Sequence, residues 1–297
     1  MVYVILLLYS DITKLSKYIF EINYSFLPAI FSLATIMIIL LGLRFHRLLQ
    51  KLGIDISLRK SILVYIAGLS FGITPGGAGT IAKSHIIKSW YGIPISKTAP
   101  IIFVEKWNEL NSVLLILVVC TFLEGIIETR IIGAIGIAVS LLFLGLVRNK
   151  TVFSLFKNTM FRLRLSKYEE MIENSQGSFK ILTGAGITLE GLLITTLAKI
   201  AEAFSVYLVL KSLKMPIDFI FSTQIFYTSI VSGFLSFIPG GFIVTEGSML
   251  GLLIKYGTEF SLATVAIIFS RLFTIWYATI LGLITTKFII KYKLTTN

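Results

Sequence analysis

Charged side chains interrupt the apolar stretches of this sequence at a few positions, and these are the first candidates for chemistry. They are Lys83, Glu105, Glu109, Glu246 and Arg271. A charge near the centre of a bilayer costs roughly 2.5–3.5 kcal/mol even on permissive insertion scales, so such residues face the protein interior and pair. Glu105 and Glu109 are four residues apart and share one helix face. The cations could bind a phosphate, and the carboxylates could bind a cationic group or carry protons.

One Pro-Gly-Gly break precedes Lys83, Glu105 and Glu109, and a second precedes Glu246 and Arg271. The first consists of Pro75, Gly76 and Gly77, and the second consists of Pro239, Gly240 and Gly241. Unwound backbone at bilayer depth survives only inside protein or beside a water-filled cavity. A pair of such breaks, one in each half of the chain, indicates the substrate site of a transporter. The alternative is that both breaks are kinks packed by neighbouring helices.

The helices that restart after these breaks favour an anion as the ligand. They are predicted to begin near Thr80 and near Val244 or Thr245, and their free N–H groups carry about half a positive charge. Two such N-termini in a low-dielectric cavity suit a phosphate. Lys83, one turn into the first restarted helix, would add a full charge.

Partners for the intramembrane charges can also be predicted. We expect Arg271 to pair with Glu105 or Glu246, because all three belong to the broken segments or to the helices that follow them. Lys199 and Glu202 are three residues apart in another apolar helix. We interpret them as a structural pair whose members satisfy each other.

The composition assigns the chain to the membrane proteins. Its 297 residues are 56% hydrophobic and 14% charged, with a mean hydropathy of +0.89, which excludes a soluble globular domain. The longest apolar runs are near or above the roughly 17–25 residues that span hydrocarbon. They are Leu27–Leu43, Ile131–Val147, Ile187–Leu210, Ile217–Ile238 and Leu262–Thr286. We predict an all-α polytopic membrane protein with about five to seven membrane-spanning helices.

The net charge of +12 indicates membrane orientation rather than nucleic-acid binding. Basic residues cluster beside the apolar runs, as the positive-inside rule produces. We therefore predict a multi-pass protein of the plasma membrane, with its basic loops and C-terminus in the cytoplasm. Attraction to anionic lipid headgroups is a second expected effect. The two histidines and the single Cys120 predict neither a metal site nor a disulfide framework.

The same charges decide between two topologies. If every apolar segment crossed fully, the basic loops Arg44–Lys60 and Arg148–Lys180 would lie on opposite sides. If Ile62–Tyr91 and Ile217–Tyr256 are instead re-entrant hairpins, both loops and the C-terminus are cytoplasmic. The hairpins then enter from opposite sides, which makes the two halves an inverted repeat, a recognised transporter plan.

We predict a single transmembrane domain over residues 1–297. Its first half is 1–147, with a re-entrant hairpin near 62–91, and its second half is 181–297, with a hairpin near 217–256. The linker 148–180 is predicted to be a cytoplasmic amphipathic segment. Residues 1–22 are expected to form either a shortened membrane segment or an interfacial helix.

The order and spacing of these motifs resemble a known family over roughly Leu27 to Lys287. The motifs are Leu43-Arg44-Phe45, Thr74-Pro75-Gly76-Gly77-Ala78-Gly79, Glu105-Lys106-x-x-Glu109, Ile238-Pro239-Gly240-Gly241 with Glu246, and Arg271. They resemble the flippase-like membrane family that includes the transmembrane half of bacterial lysylphosphatidylglycerol synthase and many stand-alone proteins. The chain departs from the family pattern at Gly77, Thr80, Lys106, Glu109 and Ile243. The resemblance implies that the phosphate belongs to a lipid.

Together these observations predict a flippase- or scramblase-like translocase for a phosphate-bearing lipid, such as an aminoacyl-phospholipid or a polyprenyl-linked glycolipid. The expected substrate-binding residues are Pro75, Gly76, Gly77, Thr80, Lys83, Glu105, Glu109, Pro239, Gly240, Gly241, Glu246 and Arg271. No nucleotide-binding loop, cofactor, metal or catalytic group is predicted, so transport would be passive or gradient-driven.

Other functions and partners stay open at this point. The chain could be a non-transporting subunit that anchors or presents lipid to a separate synthase or glycosyltransferase. It could also be a membrane enzyme that uses its carboxylates as acid and base, although no nucleophile motif accompanies them. The expected partners are membrane lipids with anionic headgroups and no nucleic acid, while a separate lipid-modifying enzyme and a homo-oligomer are left open.

Overall fold

Every secondary-structure element described for this chain is helical. The structure is a computed structural model that describes residues 10–71, 81–148, 177–236 and 241–296. These ranges contain no β-strand. The first Pro-Gly-Gly break, most of the predicted amphipathic linker, and Pro239 and Gly240 of the second break lie outside the described residues. The predicted all-α class is confirmed.

The helices are numbered here in chain order. They are α1 (Ile12–Phe20), α2 (Leu27–Lys51), α3 (Leu58–Leu69), α4 (Ile81–Tyr91), α5 (Ile95–Leu123), α6 (Ile127–Arg148), α7 (Ala185–Ser212), α8 (Phe219–Leu235), α9 (Phe242–Lys255), α10 (Phe260–Arg271) and α11 (Tyr277–Thr296). A π-helical turn, Leu272–Trp276, joins α10 to α11. A short helical segment at 177–182 precedes α7.

Four stretches of the described chain are long and apolar enough to cross a membrane. They are Tyr24–Lys51, Ile95–Leu123, Ala185–Ser212 and Phe260–Ile289. These stretches contain α2, α5, α7 and the continuous run of α10 and α11. Helix α6 has 22 residues and is about 33 Å long, so its length also exceeds the roughly 30 Å of hydrocarbon. The protein is a polytopic helical membrane protein.

Local sequence signals start several of these helices. Pro28 lies in the first turn of α2, where a missing N–H removes no helical hydrogen bond. Asp218 caps α8 by accepting a hydrogen bond from the N–H of Phe221 at 2.8 Å. Pro94 comes directly before α5. The loop between α4, which ends at Tyr91, and α5, which begins at Ile95, is three residues long.

Helix α1 fits the interfacial interpretation of the N-terminal segment. Its nine residues are about 14 Å long, which is too short to span the membrane. Lys14 and Tyr18 donate hydrogen bonds to Glu259, at the start of α10, at 2.5 and 2.7 Å. These hydrogen bonds hold the pKa of the Glu259 carboxyl below its ordinary value. The helix therefore lies against the start of α10, with Phe20 82% exposed.

Two pairs of short helices occupy the positions predicted for the hairpins. Helices α3 and α4 have 12 and 11 residues, about 18 and 16 Å, and α8 and α9 have 17 and 14 residues, about 25 and 21 Å. None of them reaches the roughly 30 Å of a full crossing. The two helices of each pair pack against each other. Their lengths therefore favour hairpins over full crossings.

The second helices of the two pairs, α4 and α9, end on opposite sides of the helix bundle. Lys255, at the end of α9, pairs with Glu128 at the start of α6. Helix α6 follows α5 directly, so α9 ends on the side where α5 ends at Leu123. Helix α4 ends at Tyr91 and leads into the start of α5. Helices α4 and α9 thus end at opposite ends of α5, as an inverted repeat requires.

The candidate charges occupy matching positions in the two pairs. Lys83 lies eight residues before the end of α4, and Glu246 lies nine residues before the end of α9. Glu105 lies ten residues after the start of α5, and Arg271 lies eleven residues after the start of α10. At 1.5 Å per residue, all four lie about 12–17 Å from their helix ends. Lys83 and Glu105 therefore lie nearer the membrane face at which α5 begins. Glu246 and Arg271 lie nearer the opposite face, at which α9 ends.

Glycines allow the hairpin helices to approach their neighbours closely. Gly282 on α11 faces the backbone of α3, where a Cβ atom would lie 2.8 Å from the carbonyl oxygen of Ile66 and 2.8 Å from the carbonyl carbon of Leu69. Gly233 on α8 similarly faces the backbone of Gly241, where a Cβ would lie 3.0 Å from the carbonyl oxygen. Small residues at such crossings are typical of membrane helix packing.

Gly282→Ala is expected to destabilise the protein by about 1–3 kcal/mol, because the added methyl group meets backbone atoms of α3 that cannot move aside. Gly251→Ala on α9 is the matched control, since no atom lies within 4 Å of its Cβ position. Alanine there is expected to be neutral or stabilising. Thermal unfolding of detergent-purified variants measures both effects. Equal melting temperatures for Gly282→Ala and the wild type would contradict the close α3–α11 crossing.

Candidate ionic site in the membrane-spanning helices

Arg44 lies at the centre of a buried ionic cluster that joins three helices. It belongs to α2, and 1% of the residue is exposed. Its Nη2 donates hydrogen bonds to Oε1 of Glu105 and Oε1 of Glu109 on α5, both at 3.2 Å. Its Nη1 donates to Oγ1 of Thr195 on α7 at 3.0 Å. The guanidinium therefore connects α2, α5 and α7 in one hydrogen-bonded unit.

The sequence-based placement of Arg44 in a cytoplasmic loop is wrong. Helix α2 continues to Lys51, so Arg44 lies well inside it. Apolar residues recur at helical spacing on both sides of Arg44, and Leu41, Phe45 and Leu48 are all buried. This periodicity keeps the same helix face in the core past Arg44. It is the signal in the sequence that could have identified Arg44 as a site residue.

Lys83 joins this cluster from α4. The residue is 4% exposed, and its Nζ donates a hydrogen bond to Oε2 of Glu105. The ammonium lies 5.0 Å from the ring centroid of Phe45 and 4.9 Å from that of Tyr65, within cation–π range. A Cβ atom at Gly68 on α3 would collide with the Lys83 side chain. Both helices of the first pair therefore shape the position of Lys83.

Glu109 and Lys106 form the edge of the cluster. The Glu109 side chain is 20% exposed, whereas that of Glu105 is 3% exposed. Lys106 is one turn before Glu109, is 50% exposed, and donates to it at 2.8 Å. We call Arg44, Lys83, Glu105, Lys106 and Glu109 the first cluster. It contains three cations and two carboxylates.

Arg271 and Glu246 form the second cluster, on α10 and α9. They are 2% and 0% exposed, and Nε of Arg271 lies 3.0 Å from Oε1 of Glu246. The guanidinium carbon lies 5.6 Å from the ring centroid of Phe226 on α8. Of the two predicted partners of Arg271, Glu246 is therefore the one observed. Within the described part of the chain, Nη2 of Arg271 makes no hydrogen bond, so the guanidinium keeps a donor that a ligand could use.

A third buried group consists of Lys199, Glu202 and Tyr227. Lys199 donates to Oε2 of Glu202 at 2.8 Å, and the Tyr227 hydroxyl donates to the same oxygen at 3.2 Å. The predicted pairing of Lys199 with Glu202 is thus confirmed. Lys199 also interacts with the charge of Glu109, so this group borders the first cluster. Its mutual pairing fits a structural role between α7 and α8.

Asn108 is a further polar residue that sequence reasoning missed. It lies one turn after Glu105 on α5 and is fully buried, and neither polar atom of its amide has a hydrogen-bond partner in the described part of the chain. A Cβ atom at Gly191 on α7 would collide with this amide. Asn108 stands between Trp107 and Glu109 in a spanning segment, and an uncharged amide beside charged residues is only a weak signal in the sequence. Its unmet hydrogen bonds make it a candidate for binding water or ligand.

The structure groups some predicted substrate-binding residues and leaves others unplaced. Lys83, Glu105 and Glu109 lie in the first cluster, and Glu246 and Arg271 lie in the second. No hydrogen bond or ion pair between described residues links the two clusters. Contact of a single phosphate with both Lys83 and Arg271 therefore stays a prediction.

The break residues themselves are described only in part. Those outside the described ranges are Pro75, Gly76, Gly77, Thr80, Pro239 and Gly240. Gly241 precedes α9 with φ +58°, a left-handed conformation that favours glycine. Helix α4 begins at Ile81 and α9 begins at Phe242, close to the restarts predicted near Thr80 and Val244.

The cations of the first cluster are chemically suited to either a carboxylate or a phosphate. Guanidinium and ammonium groups bind carboxylate and phosphate through the same charge-assisted hydrogen bonds. Removing a carboxylate without a replacement leaves a buried cation unpaired, which is strongly unfavourable. Binding of a phosphate here would therefore require a carboxylate to leave or to take up a proton.

The two carboxylates of the first cluster should respond differently to the loss of charge. Glu105→Gln is expected to lower stability by roughly 3 kcal/mol, because it removes the buried counter-charge of Lys83. Glu109→Gln is expected to cost less, roughly 1 kcal/mol, because Lys106 is half exposed and Arg44 keeps Glu105 as its counter-ion. Thermal unfolding in one detergent compares the two variants directly. An equal loss in both would contradict the assignment of Glu105 as the inner counter-ion.

Comparison with known proteins places the chain in a family. Residues 1–282 match the family model described as the lysylphosphatidylglycerol synthase TM region. No curated protein sequence matches the chain. The family match covers nearly the whole chain and includes both ionic clusters, and it agrees with the resemblance inferred from the motifs. The chain belongs to the lysylphosphatidylglycerol synthase transmembrane-region family, whose members are membrane proteins related to lipid modification or translocation.

Proposed function

We propose that this protein moves a phosphate-bearing lipid between the two leaflets of the membrane. The observation that carries the proposal is the first cluster, in which Arg44 and Lys83 are buried in an apolar helix bundle beside the start of α4. Two cations at this depth provide a recognition site for a phosphate. No nucleotide-binding loop occurs in the sequence, so movement would be passive or driven by a gradient.

Stability alone gives little reason for such a cluster. Replacing a buried ion pair by well-packed apolar residues is often neutral or stabilising. Ionisable residues within spanning segments are rare, and they mark substrate or ion pathways. The cost of burying Arg44, Lys83 and Glu105 is therefore better explained by a ligand than by folding.

The charge balance of the first cluster favours a singly charged anion. Its three cations and two carboxylates sum to one positive charge when all are ionised. One phosphodiester would bring this sum to zero. The helix predicted to restart after the first Pro-Gly-Gly break would add free N–H groups close to Lys83. The net positive charge and the N–H groups at the helix start both favour a lipid phosphate over a neutral headgroup.

The second cluster would serve the same headgroup nearer the opposite face. Its Arg271 retains a donor within the described part of the chain and lies at a matching depth in the inverted pair. A headgroup that leaves the first cluster would meet a second cation and carboxylate in Arg271 and Glu246. Glu105, Glu109 and Glu246 would bind a cationic part of the headgroup or take up a proton while the phosphate is present.

The family description also supports a second candidate function. It refers to the transmembrane region of a synthase, so a member could present lipid to a separate modifying enzyme without moving it. The two functions differ in what the isolated chain does. Movement of lipid by the purified chain in liposomes favours translocation, whereas co-purification with an enzyme and no movement favours presentation.

Lys83→Met is expected to slow lipid movement at least about ten-fold, because it removes a charge-assisted interaction with the phosphate. The assay follows fluorescent phosphatidylglycerol in liposomes, with dithionite quenching the label in the outer leaflet. Lys88→Met is the matched control, since it removes the same charge from an exposed position of α4 outside the first cluster. Size-exclusion profiles and melting temperatures identify variants that fail to fold.

Absence of movement by the folded wild-type chain would overturn the proposed translocation. Equal rates for the wild type and a folded Lys83→Met variant would instead remove Lys83 from the lipid pathway. A loss of equal size in Lys88→Met would show that surface charge, and not the buried cation, controls the rate.

Exchange of the charges of the second cluster separates a structural role from a ligand role. The double variant Glu246→Arg with Arg271→Glu keeps an ion pair but exchanges its polarity between α9 and α10. It should recover most of the stability that either single variant loses. Lipid movement should stay low, because the cation no longer projects from α10. Recovery of both properties would show that the pair is structural only.

A further inference from the structure

A groove between α5 and α6 lies outside both ionic clusters. Its volume is about 410 Å³, within the range typical of ligand pockets. The lining is mainly apolar and includes Val118 and Phe122 from α5 and Gly133, Ala134 and Ile137 from α6. Phe122 and Ile137 are 86% and 41% exposed, so the groove opens outward from the helix bundle. Small side chains on α6 give the groove its depth.

Arg130 supplies a positive charge at one end of this groove. It lies in the first turn of α6, next to Gly125 and the end of α5, and is exposed. Arg130 makes no ion pair with any described residue, whereas the nearby Glu128 is paired with Lys255. A single guanidinium above an apolar groove complements a ligand with an anionic head and an apolar tail.

The depth of the groove matches the geometry of a phospholipid. Arg130 is near the helix end, where lipid phosphates lie. Ile137 is seven residues further along α6, about 10 Å closer to the bilayer centre. An acyl chain that descends from a phosphate at Arg130 would therefore follow the groove. In the predicted orientation this is the external leaflet.

The floor of the groove connects to the second helix pair. Thr129 lines the groove and is buried, and its hydroxyl is hydrogen-bonded to that of Thr228 on α8 at 2.9 Å. The Gln224 amide on α8 donates to the backbone carbonyl of Cys120 on α5 at 3.3 Å. A ligand in this groove would thus lie against α8, the helix that packs against α9 of the second cluster.

We propose that this groove binds one anionic diacyl phospholipid, with its phosphate at Arg130 and one acyl chain along α5 and α6. Binding here requires no movement of lipid across the bilayer. A binding measurement therefore tests the groove separately from the proposed translocation.

In the experiment the full chain is purified in detergent micelles that contain both phosphatidylglycerol and phosphatidylcholine. Native mass spectrometry then counts the lipids that the protein retains. The wild type is expected to retain phosphatidylglycerol preferentially. Arg130→Gln should lower that preference about five-fold, the effect of one interfacial cation. Lys17→Gln is the charge control, because Lys17 is an exposed base on α1 at the same end of the bundle.

Filling the groove tests the acyl-chain contact without changing charge. Gly133→Leu should reduce retention of the lipid at least several-fold, whereas Gly145→Leu should not. Both glycines belong to α6 and have no atom within 4 Å of the Cβ position, but only Gly133 lines the groove. Wild-type retention in both Arg130→Gln and Gly133→Leu would overturn the proposal. Equal retention of phosphatidylcholine and phosphatidylglycerol by the wild type would overturn it as well.

Discussion

The absence of water around buried charge is the constraint on which this structure depends. Arg44 is almost fully buried in a helix that spans the membrane, and such a cation is tolerable only beside an anion. Glu105 and Glu109 on α5 supply that anion, and Thr195 on α7 satisfies a further N–H group. The positions of α2, α5 and α7 relative to each other therefore depend on one guanidinium as well as on apolar packing.

The need to pair buried charges also holds the first helix pair, α3 and α4, against the long helices. Helix α4 is too short to span, and its Lys83 reaches Glu105 only if α4 lies beside α5 at bilayer depth. Helix α3 approaches α11 closely at Gly282 and leaves room for Lys83 at Gly68. Packing and charge pairing thus place the start of α4 next to the first cluster.

The sequence predicted the helical class and the short helix pairs because each has a local signal. The helical class follows from apolar runs of sufficient length. The short helix pairs follow from the Pro-Gly-Gly breaks and the distribution of basic residues. The pairing of Arg271 with Glu246 was one of two predicted choices, and only tertiary packing decided between them. The sequence alone predicts a loop position for Arg44, because a positive charge near a predicted helix end resembles an orientation signal. Asn108 gave no spacing pattern, so its burial against Gly191 became evident only in three dimensions.

Under the proposed function, the unequal burial of the two carboxylates would set the order in which a phosphate replaces them in the first cluster. Glu105 is 3% exposed and neutralises both Arg44 and Lys83, so its departure would leave two buried cations with less compensation. Glu109 is 20% exposed and keeps Lys106 as a partner when it leaves Arg44. A phosphate would therefore replace Glu109 on Arg44 first, from the more exposed edge of the cluster. Only then, with Arg44 already compensated, could Glu105 release Lys83 at lower cost, so the proposed translocation would carry the headgroup towards α4.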